Sequence, residues 1–171
     1  MANTYTLIQA ATVASGGTSY IEFTSIPNTY TDLLLYTSLR DDRNISLNDG
    51  TLQINGSSSN FSRLYIESTN YANATTDIQA NGNFIYATTT QSTASTFSNG
   101  YMYIPNYLSN NYKGVLVQNG SASNGAPVNL ISIIGLWSDT SQITSLRITP
   151  EGSGVKYVEH STAYLYGIKN S

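Results

Sequence analysis

The segment Ser19–Arg43, SYIEFTSIPNTYTDLLLYTSLRDDR, decides the fold class. It reads as a strand, a tight turn at Pro27-Asn28, a second strand and a charged corner. In the first strand Tyr20, Glu22 and Thr24 alternate with Ile21 and Phe23, which gives one wet face and one buried face. Proline presets φ and asparagine tolerates the turn geometry, so the chain turns there. In the second strand Leu33 and Leu35 point one way while Leu34 and Tyr36 point the other. Apolar residues on both faces mark a strand inside a sheet and not at its rim.

The same short alternation recurs on either side. Upstream, Tyr5–Val13 is β-rich and ends in Ala14-Ser15-Gly16-Gly17, a turn suited to positive φ. Downstream, Leu52 and Ile54 alternate around Gln53 and stop at the turn signal Asn55-Gly56. Ser62–Ser68 is a half-buried strand with Leu64 and Ile66 against Tyr65, and Thr69–Asn83 is a polar loop anchored by Ile78. Phe84–Tyr86 forms a short strand, and Thr88–Thr96, low-complexity Thr/Ser without a bulky apolar group, is an exposed connection. Phe97–Pro105 sets Tyr101 and Tyr103 on one face and Met102 and Ile104 on the other.

Lys113–Gln118 is a further strand, followed by a loop from Asn119 to Pro127. Val128–Trp137 is the most apolar run, with Leu130, Ile134 and Leu136 opposite Ile131, Ile133 and Trp137. Its β-branched content and Gly/Pro flanks make it a buried strand. Ile143–Thr149, the turn Pro150–Gly154, and the segments Val155–Val158 and Thr162–Ile168 complete the chain. About ten short strands with turn signals between them predict one all-β domain over residues 1–171, an antiparallel sandwich of jelly-roll wiring. The apolar last strand is expected to pair centrally with an early one, which raises contact order.

Composition narrows the function. Only 10% of the 171 residues are charged, against roughly 25% in ordinary soluble domains. The 40% hydrophobic content and fourteen tyrosines argue against disorder. A net charge of −3 and a pI near 4.8 offer no basic field to a phosphate backbone, so no nucleic-acid partner is expected. Cysteine is absent, which excludes disulfides and thiolate metal sites. Neither a signal peptide nor a membrane span is legible, which points to assembly in a cytoplasm.

Each candidate chemistry has a plainer counterpart. Arg40-Asp41-Asp42-Arg43-Asn44, with Asn48 and Asp49 beyond, holds oxygen ligands suited to Ca²⁺. The twelve-residue loop pattern is missing and two arginines supply the opposite charge, so a solvated corner of paired Arg and Asp is the reading, with no metal. The acidic residues mark no carboxylate pair. His160, the one histidine, lacks a nucleophile elbow and reads as a surface or interface residue. No catalytic residue and no cofactor is expected. Tyr101, Tyr103 and Tyr107, or Tyr164 and Tyr166, form tyrosine clusters that suit a glycan platform or, more plainly, sheet rims and a subunit interface. Asn-x-Ser/Thr triplets at Asn44, Asn55, Asn60, Asn73 and Asn119 carry no meaning for glycosylation without a signal peptide.

Five motifs in order carry a resemblance: the block from Ile21 to Leu35, Tyr103-Ile-Pro-Asn-Tyr107, Gly135-Leu-Trp137, Ile143 to Pro150, and Ser161 to Ile168. Together they resemble a group of tailed-bacteriophage virion proteins, especially of aquatic phages, over nearly the whole chain. The resemblance implies a non-enzymatic β-sandwich on the virion, either a capsid decoration (cement) protein or the terminal domain of a tail or head fibre. Fibre proteins of that group carry an upstream shaft, whereas here the sandwich begins within a few residues of Met1. The expectation is therefore a decoration protein that binds the major capsid protein or other virion proteins and stabilises the assembled head as a homotrimer. Its alternative is a receptor- or glycan-binding module. Contact residues are expected at the charged corner (Arg40, Asp41, Asp42, Arg43) and at Tyr101, Tyr103 and Tyr107.

Overall fold

The computed structural model describes residues 4–69, 75–80, 82–122, 124 and 128–169. Among them are twelve strands and no helix. In chain order they are β1 (Tyr5–Thr12), β2 (Ile21–Phe23), β3 (Asp32–Leu39), β4 (Asn48–Ile54), β5 (Phe61–Thr69) and β6 (Thr75–Gln79), followed by β7 (Asn83–Ala87), β8 (Ser98–Ile104), β9 (Lys113–Ser121), β10 (Asn129–Trp137), β11 (Leu146–Pro150) and β12 (Thr162–Ile168).

They form an eight-stranded sheet, ordered β1-β12-β3-β8-β9-β10-β5-β6, and a four-stranded sheet, ordered β2-β11-β4-β7. Every strand pair is antiparallel. With β5, β6, β9 and β10 set aside, the remaining strands, counted in chain order, lie first-eighth-third-sixth in one sheet and second-seventh-fourth-fifth in the other. This is jelly-roll wiring, two Greek keys folded into a sandwich. The hairpins β5–β6 and β9–β10 are insertions that widen one sheet beyond the jelly roll.

The core lies between the sheets. Leu33, Leu35, Ile131, Ile133 and Trp137 enter it from the large sheet, and Phe23, Leu52, Ile54, Phe84, Leu146 and Ile148 from the small one. Alternation along each strand explains who points inward; along β10 every second residue from Asn129 to Trp137 is buried. The last strand occupies the slot between β1 and β3, as its apolar pattern predicts.

Several local expectations need correction. The stretch between β2 and β3 is not a tight turn: residues 24–31 carry the chain from the small sheet to the large one, with Ser25 at φ 53°. The polar stretch after Thr69 contains strand β6, and Asn119 to Ser121 continue β9. Thr88, Thr89 and Ser92 are buried, so Thr88–Thr96 is an exposed connection only in part, at Thr90, Gln91, Ala94 and Ser95. The two threonine hydroxyls replace apolar bulk: Thr88 Oγ1 donates to the carbonyls of Leu39 and Thr96 at 3.2 and 3.0 Å, and Thr89 Oγ1 to that of Ile45. Of 155–158, Tyr157 alone pairs, through isolated bridges to Thr18 and Asp41. The tight turns at Gly16-Gly17, Asn55-Gly56 and Gly152–Gly154 hold the positive φ that their residues suggest.

Candidate functional site

The charged corner is a structural staple, and of its four charged residues Asp41 is closed off from solvent. Asp41 is 0% exposed, and its carboxylate accepts hydrogen bonds from Asn48 Nδ2 at 2.6 Å and from the Arg43 amide at 3.1 Å. Burial raises its pKa to about 6, against those two bonds, which lower it. The Arg40 guanidinium donates to the carbonyls of Thr93, Thr96 and Ser92 at 2.9, 3.0 and 3.3 Å and so pins the 88–96 segment. Asp42 Oδ1 accepts from the Lys156 amide at 2.9 Å. Arg43 donates to Asn48 Oδ1 at 2.6 Å, and its ion pair is with Glu151 at 3.9 Å and not with a neighbouring aspartate. Asp42 is exposed and Arg43 half-buried. The corner's charges hold the end of β3 against two loops because each faces a backbone group that needs a partner.

Tyr107 offers no surface to a partner, because it is fully buried in the core and its hydroxyl donates to the Pro27 carbonyl. Ser161 is buried, with its hydroxyl donating to the Arg40 carbonyl at 3.0 Å and accepting the Arg40 amide at 3.1 Å, while the adjacent His160 is exposed. Among the described residues no group of three or more His, Cys, Asp or Glu is placed to hold a metal ion. No helix among them is long and apolar enough to cross a membrane.

Tyr101 and Tyr103 do share a surface, the outer face of the large sheet. Register builds that face into rows across the strands. One row runs Leu7, Tyr166, Leu34, Tyr103, Leu116, Ile134 and Leu64, apolar or aromatic from β1 to β5. The next runs Ala10, Tyr164, Tyr36, Tyr101, Gln118, Ser132 and Ile66. A third is small and polar for most of its length: Thr12, Thr162, Ser38, Asn99 and Gly120, then Leu130. The Tyr36 ring contacts those of Tyr166 and Tyr101 at centroid distances of 6.0 and 6.2 Å. Gln118 Nε2 donates to Ser132 Oγ at 2.7 Å. A depression of about 480 Å³ opens over the small row, walled by Tyr36, Tyr101, Tyr164 and Leu130.

Ten of the twelve exposed large hydrophobic residues among those described lie on this face; Ile134 and Leu130 are 66% and 62% exposed. The one charged side chain that the described strands turn to it is Asp32, which is buried and accepts hydrogen bonds from Tyr103 Oη at 2.8 Å and the Asn106 amide at 2.9 Å. Burial, then the bond to Asp32, pushes the Tyr103 hydroxyl's pKa up to about 12, so it stays a donor at any physiological pH. Sequence reading missed Leu64, Ile66, Leu116, Leu130, Ile134 and Leu136 as surface residues. Their alternation with buried neighbours was the available signal, but a strand buried on both faces has the same one.

No protein-family model matches the chain, and no curated protein matches it in sequence. Among solved structures the chain is similar to the galectin LEC-6 of Caenorhabditis elegans, at 13% identity and a TM-score of 0.33, over 91% of this chain and 94% of that one.

Proposed function

We propose that this is a non-enzymatic structural protein of a tailed-phage virion, a capsid decoration protein that stabilises the assembled head. The observation that carries the reading is the uncharged apolar outer face of the large sheet. A contiguous apolar face of this width marks a surface that functions covered by protein. The resemblance of the five motifs, in their order, to phage virion proteins supplies the setting. Binding the assembled shell in preference to free capsid subunits stabilises the shell by mass action, without any chemical step.

The test is the copy number of this protein in purified particles. Copies in the hundreds, and a lowered particle melting temperature once the protein is stripped, support decoration. A handful of copies confined to the tail overturns it. A second reading, a glycan- or receptor-binding module, is favoured by the depression walled by Tyr36, Tyr101 and Tyr164, where aromatic faces sit beside the amides of Asn99 and Gln118. Glycan-array binding that is lost in Tyr101→Ala would select it.

A further inference from the structure

The large sheet ends at β1, and that rim is open. The Thr4 carbonyl accepts the Lys169 amide at 3.2 Å, and the Val13 amide donates to the Ser161 carbonyl at 2.8 Å. Bonded and non-bonded pairs alternate along an antiparallel ladder, so Thr4, Thr6, Ala11 and Val13 turn their backbone groups toward β12 and the residues beside it. Ile168, across from Tyr5, gives its carbonyl to the Thr31 amide instead. The amides and carbonyls of Tyr5, Leu7, Ala10 and Thr12 therefore point away from the sheet, and among the described residues nothing bonds to them. All four residues are exposed. We infer that this rim pairs with the β1 rim of a second copy, antiparallel, about a two-fold axis that stands perpendicular to the sheet and passes between Ile8 and Gln9. The pairing uses the rim and leaves the outer face uncovered, so it goes beyond the decoration reading without competing with it.

Sheet rims are normally kept short, charged or broken by proline, because open backbone groups recruit other strands. β1 has none of these guards. It is 8 residues long, against 3 for β2 and 5 each for β6 and β7, the other rim strands. Thr4–Val13 holds no charge and no proline. Its irregularity is the bulge between Leu7 and Gln9. The bulge puts two residues between the outward groups of Leu7 and Ala10, where a regular strand puts one. A straight foreign strand falls out of step there. A second copy brings the same spacing.

Register completes the match. Turned antiparallel about that axis, each outward residue meets an outward residue: Leu7 lies across from Ala10 of the second copy, and Tyr5 across from its Thr12. Each such pair can exchange two backbone hydrogen bonds. The side chains agree as well. All four stand on the outer face, so each large one sits beside a small one, and Tyr5 and Leu7, 57% and 49% exposed, gain a neighbour. No charge opposes another across the seam. An axis perpendicular to the sheet keeps both outer faces on the same side, so the two eight-stranded sheets join into one and the apolar face doubles in width. A contact of this kind is isologous and closes at two copies.

Sedimentation of the purified chain tests the pairing. A strand ladder is smaller than the ~800 Å² per partner of a standard interface, so the measurement is made at roughly 300 μM. The expected mass is near twice the 18.5 kDa of one chain. Ala10→Pro removes an outward amide and no bond to β12, a place where a rim strand accepts proline. It is expected to raise the dissociation constant of the dimer by about tenfold or more, with the circular dichroism spectrum unchanged. Ile134→Lys, on the outer face, is expected to leave the dimer as it is. Because the chain has no cysteine, introduced thiols report the register. Oxidising a mixture of Leu7→Cys and Ala10→Cys chains is expected to give the mixed disulfide in preference to either self-linked form, since like positions lie beyond the ~7 Å reach of a disulfide. A monomer at that concentration, or a trimer, overturns the pairing. A dimer that yields no mixed disulfide, or that Ile134→Lys dissociates, overturns the rim as its interface, and the disulfide decides alone should Ala10→Pro fail to fold. Particle copy number decides the virion reading independently of these outcomes.

Discussion

The hydroxyl of Tyr103 donates to the buried carboxylate of Asp32 at 2.8 Å, across the junction of β8 and β3. Asp32 opens the leucine strand and Tyr103 opens the Tyr-Ile-Pro-Asn-Tyr motif, so two of the five sequence motifs touch. The Tyr107 hydroxyl likewise reaches the Pro27 carbonyl, and the Tyr30 ring lies against Gly167. These motifs staple the jelly roll to itself. Tyr103→Phe is expected to lower stability by about 1.5–3 kcal/mol, the usual worth of a hydrogen bond to a charged group. Urea unfolding of the pair of proteins measures it, and equal midpoints would discount the bond.

Gly135 faces the ring of Phe84 so closely that a Cβ there would sit 2.2 Å from the ring carbon Cε1. Gly135→Ala is therefore expected to cost about 1–3 kcal/mol through overpacking. Phe84→Leu in the same chain should return part of that loss by vacating the space. Thermal melts of the single and double variants check this; a double variant less stable by the sum of the two single losses would reject the clash.

Trp137, 2% exposed at the end of β10, fills the core beside Lys113, whose ammonium lies 5.5 Å from its ring centre. Trp137→Ala is expected to cost about 3–5 kcal/mol, the range for a large aromatic removed from a core. A melting temperature unchanged from the parent protein would contradict its place there.

Asp41 gives stability a pH dependence of definite sign. In the unfolded chain its carboxyl titrates near 3.8, and in the folded protein burial moves it to about 6. Between those values the folded state holds a proton that the unfolded state has lost. Its contribution is therefore full below 3.8 and is lost as pH rises through 6, a swing of about 3 kcal/mol. Asp49, whose pKa burial also raises, adds a slope of the same sign. Urea midpoints should fall between pH 4 and 7 in the parent and fall less in Asp41→Asn; parallel profiles for the two would remove Asp41 from this role.

The jelly roll was legible because burial leaves a period of two in the sequence, and β3, β10 and β12 carry it plainly. What covers each face was not. Leu34 and Ile134 occupy equivalent alternating positions, yet Leu34 is buried among tyrosines while Ile134 stands in solvent. The charged corner misled for a different reason. Charge reads as solvation until its partner is known, and Asp41's partner Asn48 comes from the start of the next strand. Thr88 and Thr89 carry no apolar signal at all, since hydroxyl-to-carbonyl bonds hold them inside. The exposed apolar face emerged only from register, which sets Leu116 beside Ile134 and Tyr103.

Strand β12 has a consequence for synthesis. It lies between β1 and β3, so a nascent chain leaving the ribosome carries two unpaired strand edges, one on each side of an empty slot, until residues 162–168 have been made. Open edges of this kind recruit neighbouring chains. On a polysome producing many copies at once, the interval before that slot fills is when this protein is most exposed to pairing with the wrong molecule, and holdase chaperones would act there.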